Sequence, residues 1–211
     1  DNPSAPFSLP EFMDYRSRTR TLSGLAAYAN WSASLAGDGT TERFQGARMS
    51  ANAFEVLGAS PAAGRLLQES DDRADAPNVA VLSHRLWRNR FGGDADAIGR
   101  TVRINGEPFV VVGVLPAHFP LPLRDIDVVT ALVPDRDPLR HVRSSVNFLR
   151  FVGRLNPGTG AGQARSELTA IGRSLRQQFP VEYAGKEAVK VVPLHEVLVA
   201  GHRTSMLALL A

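Results

Sequence analysis

The clearest pattern of apolar and polar positions lies in residues 77–116, where it predicts a strand, a helix and a hairpin in succession. Residues 78–82 are an apolar run of strand length. Ser83 is a residue type that caps helices, and the apolar positions that follow it recur at helical spacing. Gly92 and Gly93 predict the end of this helix, because glycine adopts the left-handed conformation of a helix stop without steric cost.

A β-hairpin is predicted directly after this helix. Residues 101–104 alternate polar and apolar side chains, and residues 109–114 return as a more buried strand. Asn105 and Gly106 are the pair that a type I′ turn prefers, since both residues of that turn have positive φ. Pro108 lacks an N–H group, which predicts an edge or a bulge at that end of the return strand. This region is therefore predicted as scaffold, without a reactive group.

Two longer helices are predicted from three- and four-residue spacing. The first spans residues 9–28, although Gly24 weakens its last turns. Its apolar stripe comprises Phe12, Tyr15, Thr19, Leu22 and Ala26. The second spans residues 160–179 and ends at Pro180. Its apolar stripe comprises Ala164, Leu168, Ile171, Leu175 and Phe179.

The remaining pattern is one of short strands and helices. A hairpin is predicted with its turn at Gly37, Asp38 and Gly39, and a short helix with its stop at Gly58. The predicted segments are strands 31–35 and 42–49, helix 54–57, strands 127–133, 148–155 and 188–192, and a helix from His195 onward. Helices interspersed with short strands predict an α+β fold class.

Composition narrows the classes of function. The chain has 211 residues, enough for one large domain or two small ones, and a formal charge of +3. Its arginines are spread along the chain and interleaved with acidic residues, so no basic face for nucleic acid is predicted. Arg16, Arg18 and Arg20 are interpreted as solvated, with contact to lipid headgroups as the alternative. The absence of cysteine excludes disulfides, thiolate zinc sites and a cysteine nucleophile.

No catalytic, cofactor or metal site is predicted. Ser83 and Ser205 lack the context of a nucleophile elbow, and the glycines form neither a phosphate loop nor a dinucleotide fingerprint. The acidic residues between Pro61 and Pro77 are interpreted as a solvated turn, because they lack the alternating ligands of a calcium loop. These acidic residues are Glu69, Asp71, Asp72 and Asp75. The histidines lack the spacing of a helical metal site, and they are His84, His118, His141, His195 and His202.

The chain contains no run of the ~20 apolar residues that span a bilayer. Residues 201–211 end in an apolar ramp without a helix stop. They are predicted to be the start of a truncated transmembrane helix.

Three blocks of sequence, in this order, carry a resemblance to a known family. They are FQGARMSANAFEVLGASPAAGR from Phe44, VAVLSHRLWRNRFGGDADAIGRTVRINGEPFVVVGVLP from Val79 and FLRFVGRLNPGTGAGQARSELTAIGRSLRQQFP from Phe148. Together they closely resemble the extracytoplasmic core domain of MacB/FtsX-type ABC transporter permeases. Within that group the chain looks most like the duplicated orphan permeases abundant in acidobacteria, which carry no fused ATPase.

The resemblance implies a division into two subdomains. A porter-like α/β sandwich would comprise residues 1–49 and 144–200, and a smaller mixed α/β subdomain, called the sabre, would be inserted as residues 50–143. The domain would lie between the first and second of four transmembrane helices of a bacterial inner-membrane protein, on the periplasmic side.

The function that the resemblance implies is mechanical. ATP binding and hydrolysis in a separate cytoplasmic subunit would move the transmembrane helices, and this domain would relay that motion for efflux or for lipoprotein and envelope-related work. The implied partners are a second permease half or subunit, the ATP-binding subunit and a periplasmic adaptor. An alternative is a module that captures a lipid or peptide between the two subdomains. A hydrolase is the least favoured alternative, because no acid-base pair is recognisable.

Overall fold

The structure, a computed structural model, describes residues 6–37, 40–117, 119, 125–143, 146–184, 189–196 and 207–210. The chain divides into two compact units. The first unit comprises residues 1–27 and 136–211, and the second comprises residues 28–135.

The first unit combines helices with strands, and strand β1 continues from it into the second unit. Its main described elements are α1 (Leu9–Arg18), the start of β1 (Leu22–Gly37), β8 (Arg150–Leu155), α4 (Ala161–Gln178), β9 (Val191–Pro193) and β10 (Leu207–Leu210). The strands pair in the order β1–β8–β10–β9, and β10 runs parallel to both of its neighbours.

Helix α1 begins with a complete capping box. The Ser8 hydroxyl accepts a hydrogen bond from the Glu11 backbone N–H, and the Glu11 carboxylate accepts one from the Ser8 N–H at 2.7 Å. The apolar side of α1 buries Phe12 and Tyr15 against Phe151 of β8, with ring centroids 5.5 and 6.0 Å apart. Aromatic packing therefore fixes α1 to this sheet.

The contact between α1 and α4 depends on a glycine. The hydroxyl of Tyr15 lies so close to Gly172 that a Cβ there would be 2.6 Å from the oxygen. The same α4 face buries Leu168, Ile171 and Leu175, as its helical spacing predicts.

The second unit is a ring of β-strands with two short helices. Besides the rest of β1, its elements are β2 (Thr40–Met49), α2 (Ala53–Leu57), β3 (Ala63–Gly64), β4 (Val79–Leu82), α3 (His84–Phe91), β5 (Thr101–Ile104), β6 (Glu107–Val114) and β7 (Val128–Ala131). Strand pairs β1–β2, β2–β7, β7–β4, β4–β6, β6–β5 and β5–β1 close the ring, and β3 adds to β6.

One face of this ring packs with α3. Leu86 of α3 joins a buried cluster that alternate residues of five strands supply, and the strand members are Ala33, Leu35, Ala80, Leu82, Ile104, Val111 and Val128. Trp31, Trp87 and Phe91 pack at its margin and are only partly buried. Burial of these side chains stabilises the ring at about 25 cal/mol per Å² of apolar surface.

A β-bulge in β6 brings another segment close to the ring. The register with β4 passes from Val111 to Gly113, and the carbonyl of Val112 accepts a hydrogen bond from the N–H of Arg65 at 2.8 Å. A Cβ at Gly113 would lie 1.9 Å from the carbonyl oxygen of Arg65, so only glycine fits.

The structure confirms the predicted fold class and most of the predicted elements. Ser83 caps α3 by accepting a hydrogen bond from the N–H of Leu86, and Gly92 ends α3 with a φ of 63°. Asn105 and Gly106 turn the β5–β6 hairpin with φ of 51° and 86°. Pro108 pairs with β5 alone, because the pairing of β6 with β4 starts at Val110.

Two sequence predictions are wrong. The helix expected over residues 9–28 ends at Arg18, and β1 starts at Leu22. Residues 25–28 of β1 are buried on both faces, so they lack the alternation that identifies a strand. The helix expected over residues 201–211 is not found at Leu207–Leu210, which form β10. A short apolar run fits a buried strand as well as a helix.

Other expectations lie partly or wholly outside the described residues. These include the turn at Asp38 and Gly39, the loop that contains His118, residues 197–206 and part of the strand expected at residues 188–192. Residues 194–196 are helical, as expected around His195.

The boundaries of the two compact units differ from those that the resemblance implies. The hairpin of β1 and β2, expected in the subdomain of residues 1–49 and 144–200, belongs from Tyr28 onward to the second unit. The physical reason is that β2 pairs with β1 on one side and with β7 on the other, which places it inside the ring of the second unit.

Candidate functional surfaces

The second unit contains a wide groove of about 1040 Å³. The groove is lined from β1, β2, α3 and β5, and Asp127 lies at its margin. Its apolar lining residues are Leu35, Phe44, Leu86, Phe91 and Val102. Its charged lining residues are Arg43, Arg85, Arg90, Arg100, Arg103, Glu42 and Asp127. Five arginines and two carboxylates leave a formal excess of three positive charges on this surface.

Helix α3 positions two of these arginines. Ser83 fixes the start of α3, and Leu86 faces the buried cluster. Arg90 follows Leu86 by one helical turn, so it lies on the same side of α3 and its side chain is only 21% exposed, whereas Arg85 is exposed. Both arginines line the groove. Arg85 donates to Asp127 at 2.7 Å and Arg90 donates to Glu42 at 2.5 Å. These ion pairs hold α3 against β2 and the segment before β7.

The other three arginines of the groove are less constrained. Arg100 lies 3.5 Å from Asp94 in a pair whose two side chains are both about half exposed. Arg103 donates to the carbonyl of Gly106 at 2.9 Å. The Arg43 side chain is exposed and has no hydrogen bond or ion pair within the part of the chain that the structure describes. Because Arg43 lies between Glu42 and Phe44 in β2, its side chain is on the opposite face of the strand from theirs.

Strands β1, β5 and β6 pair side by side at the groove. Within the described residues, β1 pairs with β5 at Ile104 and Arg103, and β6 pairs with all four residues of β5. The antiparallel register of β1 continues to Gly37 opposite Val102, where the described part of β1 ends.

The acidic segment of residues 69–75 is structural. Asp71 is buried and receives two hydrogen bonds from the guanidinium of Arg65, at 2.7 and 3.0 Å. Asp72 accepts from the N–H groups of Ala51 and Val133, and Val133 has a φ of 45°, a strained value for a β-branched residue. These carboxylates satisfy backbone and arginine donors of the second unit, so the expectation of a purely solvated turn is too simple.

In the first unit, Arg143 connects three segments. Its guanidinium donates to Asp14 of α1 at 2.5 Å and to the Tyr183 hydroxyl at 3.4 Å, and it stacks on the Phe179 ring at 3.9 Å. Burial alone would lower the pKa of Arg143, but the hydrogen bonds to Asp14 and Tyr183 raise it. Burial also raises the pKa of Tyr183 above its ordinary value.

Glu167 of α4 anchors the connection between α1 and β1. Its carboxylate accepts hydrogen bonds from the N–H groups of Arg20 and Thr21 at 2.9 and 3.0 Å, and from the Thr21 hydroxyl. Burial would raise the pKa of Glu167, but these hydrogen bonds to the charged form hold the pKa below its usual value.

The arginines of α1 have local contacts. Arg18 donates to Gln178 at 3.0 Å and lies 3.5 Å from Asp14, and Arg16 lies over the Phe12 ring. Arg20 is exposed.

The histidines and serines considered above are not brought together. His84 packs edge-on against Trp87 at 5.4 Å, and the Ser83 hydroxyl is engaged as a helix cap. His118, His202 and Ser205 lie outside the described residues. Within the described ranges, no group of histidines and carboxylates could hold a metal ion. No helix in those ranges is long and apolar enough to cross a membrane.

Sequence reasoning missed the groove. Its arginines are spread from residue 43 to residue 103 and are interleaved with acidic residues, so the linear charge pattern hides them. The one local signal was the arginine-rich helix α3, HRLWRNRF, in which Arg85 and Arg88 occupy positions off the apolar face.

Comparisons with known proteins give a consistent result. A family model for the MacB-like periplasmic core domain matches residues 2–171. Two strains of Campylobacter jejuni each have a macrolide export ATP-binding/permease protein, MacB, that is 33% identical to this chain over 163 residues. The match covers 76% of this chain and 23% of each relative, so the chain corresponds to about a quarter of those proteins.

Solved structures show the same fold at low sequence identity. The periplasmic region of MacB from Actinobacillus actinomycetemcomitans has a TM-score of 0.64 and 18% identity, covering 82% of this chain and 76% of that one. The extracellular domain of the ABC-type transporter YknZ from Gram-positive bacteria has a TM-score of 0.62 and 14% identity. That match covers 83% of this chain and 85% of the other.

Proposed function

Since the chain belongs to the family of MacB-like periplasmic core domains, we propose that it is the extracytoplasmic domain of an ABC transporter permease in a bacterial inner membrane. We propose further that it relays ATP-driven motion of transmembrane helices to the periplasmic side. ATP hydrolysis is assigned to a cytoplasmic ATP-binding subunit, and no catalytic step is assigned to this chain.

One structural observation carries this proposal. Phe7, near the start of the chain, pairs with Leu149 through hydrogen bonds of 2.8 and 2.9 Å. Near the other end, Ala208 of β10 pairs with Val152 of β8. The first and last described segments thus lie beside the same strand, only a few residues apart along it, at about 3.3 Å per residue. Flanking helices rooted in one membrane would need such an arrangement.

The connection of α1 to the rest of the first unit supports a relay. The aromatic contacts with Phe151, the Arg143–Asp14 ion pair and the Glu167 hydrogen bonds after α1 fix its orientation. A helix held by packing and charged hydrogen bonds transmits a displacement as a rigid body.

The proposed subdomains follow the compact units. Residues 1–27 and 136–211 would form the porter-like subdomain, and residues 28–135 would form the sabre-like insertion. A second permease half or subunit and a periplasmic adaptor are the further proposed partners.

The proposal is tested by purifying the full-length protein from native membranes in mild detergent. We expect an ATP-binding subunit to copurify in stoichiometric amount, together with a second permease half or copy. The native gene should also encode about 20 apolar residues close to each end of this segment. Copurification of neither an ATPase nor a second permease would contradict the proposal.

A further inference from the structure

The solvent-facing side of α4 in the first unit carries three arginines without a carboxylate partner. Arg165, Arg173 and Arg176 are all exposed, and none makes a hydrogen bond or an ion pair within the described residues. They differ in this from Arg143 of the same unit, which donates to Asp14. In the part of the chain that the structure describes, their hydrogen-bond donors are therefore directed to solvent.

The three arginines form one stripe along the helix. Arg165 and Arg176 are about three turns apart, so they lie one above the other, and Arg173 is about 60° around the helix from Arg176. At a rise of about 1.5 Å per residue, this arginine stripe is about 16 Å long. Glu167, the only acidic residue of α4, lies about 200° around the helix from Arg165 and accepts hydrogen bonds from backbone N–H groups before β1. The arginine stripe therefore contains no acidic residue of α4.

The stability of α4 does not explain this arrangement of charge. An arginine stabilises a helix when an acidic residue lies three or four positions away. None of the three arginines has an acidic residue at such a position, and Arg173 and Arg176 are themselves three positions apart, where like charges repel. Only Arg176, in the last turn, complements the helix dipole. Arg165 and Arg173 therefore have no role in the fold that the described contacts show.

The surroundings of the arginine stripe favour a helix as its occupant. Beside the stripe, three small residues follow one another at four-residue steps and are all exposed, namely Gly162, Ser166 and Ala170. A second helix can approach closely over such residues, and its own side chains recur with the same spacing as the arginines. A helix that lies on a bilayer needs large apolar side chains beside its basic ones. Among the described residues, the exposed large hydrophobic side chains are Met13 and Val181, and neither belongs to α4.

We propose that the arginine stripe of α4 binds an acidic helix of a protein partner. Arg165, Arg173 and Arg176 bind carboxylates that recur every three or four residues on one side of that helix, because a guanidinium can donate two parallel hydrogen bonds to a carboxylate. The spacing of the charges fixes the position of the partner along α4. This proposal does not depend on the relay of motion, because it concerns the surface of one helix.

The test measures binding of a fluorescein-labelled peptide to this chain by fluorescence anisotropy. The striped peptide is alanine-rich and about 20 residues long, with glutamate at every third or fourth position on one side and a side-chain lactam on the other to keep it helical. One control peptide has glutamine in place of glutamate, and a second has the same composition with its glutamates spread around the helix. We expect saturable binding of the striped peptide, weakened at 0.5 M salt because exposed charge pairs are screened beyond about 3–5 Å. Both control peptides should bind at least about fivefold more weakly.

Charge reversal locates the binding surface. The double variant R165E/R173E should weaken binding of the striped peptide at least about tenfold, since two attractive contacts become repulsive. The milder R165Q/R173Q should weaken it about three- to fivefold, and it covers the case in which the reversal variant does not fold, because glutamine keeps the helix propensity of arginine. The matched control is R43E/R88E, which makes the same charge change at exposed positions of the second unit. A change of net charge alone should weaken binding less than about twofold at 0.15 M salt.

Three results with peptides would overturn the proposal. The first is the absence of saturable binding of the striped peptide. The others are equal binding of the peptide with spread glutamates and equal weakening in R43E/R88E, because each would mean attraction by net charge alone. Sedimentation with vesicles of phosphatidylglycerol and phosphatidylcholine tests the competing partner. If R165E/R173E abolishes vesicle binding while binding of the striped peptide is unchanged, the arginine stripe is a lipid site and the proposal is wrong.

Discussion

Arginine has different roles in the two units of this molecule. In the first unit, the Arg143 side chain is 17% exposed and donates to Asp14 and Tyr183 while it stacks on Phe179. In the second unit, Arg43 is exposed on a groove and has no partner within the described residues. The same residue type therefore fixes structure in one place and leaves charge available in the other. Burial and the number of acceptors make the difference, not the position in the sequence.

The two tryptophans make this comparison measurable. Trp31 and Trp87 are the only tryptophans of the chain, and both lie within residues 28–135. Tryptophan fluorescence therefore reports unfolding of the second unit alone, whereas far-ultraviolet circular dichroism includes α1 and α4 of the first unit.

The largest expected effect is the destabilisation of the second unit by Gly113→Ala. The added methyl would overlap the backbone carbonyl of Arg65, which no side-chain rotation can relieve. We expect a loss of about 3 kcal/mol or more in unfolding free energy, seen as a lower urea midpoint by tryptophan fluorescence. The matched control is Gly162→Ala in α4, where the space is open and helix propensity predicts a gain of about 0.5–1 kcal/mol. Similar midpoints for G113A and the wild type would contradict the bulge geometry.

A smaller effect is expected for Arg143→Ala in the first unit. The variant removes the hydrogen bonds from Arg143 to Asp14 and to the Tyr183 hydroxyl, together with the stacking on Phe179. We expect a loss of about 2–3 kcal/mol, seen by circular dichroism and with little change in the tryptophan transition. R43A is the matched control, and it should stay within about 0.5 kcal/mol of the wild type. Equal losses for R143A and R43A would remove the contrast between the two arginines.

The smallest effect is expected for Glu167→Gln, and it depends on pH. Because the folded-state pKa of Glu167 is lowered from 4.5, its charged form stabilises the fold above that value and the stabilisation is lost as the pH falls through the folded pKa. At pH 7 we expect E167Q to lose about 1 kcal/mol, and below the lowered pKa the variant and the wild type should converge. E107Q, at an exposed position of β6, is the matched control and should stay within about 0.5 kcal/mol of the wild type at pH 7. If the difference in unfolding free energy between E167Q and the wild type persists unchanged at pH 2, the stabilising role of the charged Glu167 is contradicted.

Helix caps and turn residues could be predicted from the sequence, because each depends on one or two neighbouring residue types. Ser83 and Gly92 delimit α3, and Asn105 with Gly106 sets the β5–β6 turn, because a cap or a positive φ needs particular residue types. The start of β1 was missed because burial on both faces erases the alternation of a strand.

Long-range arrangements could not be read from the sequence. Ring closure depends on the pairing of β1 with both β2 and β5. The residues that pair between β1 and β5 are separated by about seventy positions in the sequence. The groove depends on the same closure, since its lining residues come from β1, β2, α3 and β5. The family resemblance predicted the fold class and the family, but no residue of this surface.

The relay of motion is tested most directly by a distance measurement in the full-length permease. This chain has no cysteine, so Arg165→Cys introduces one spin-label site into this domain, on the exposed face of α4, once cysteines elsewhere in the full-length permease have been replaced. With a second label on the corresponding helix of the other permease half, and with the ATP-binding subunit in lipid nanodiscs, pulsed electron resonance gives the distance between the labels. The account predicts a change of several ångströms between the nucleotide-free and the ATP–vanadate states, absent when the subunit cannot bind ATP. The same distance distribution in both states would contradict it.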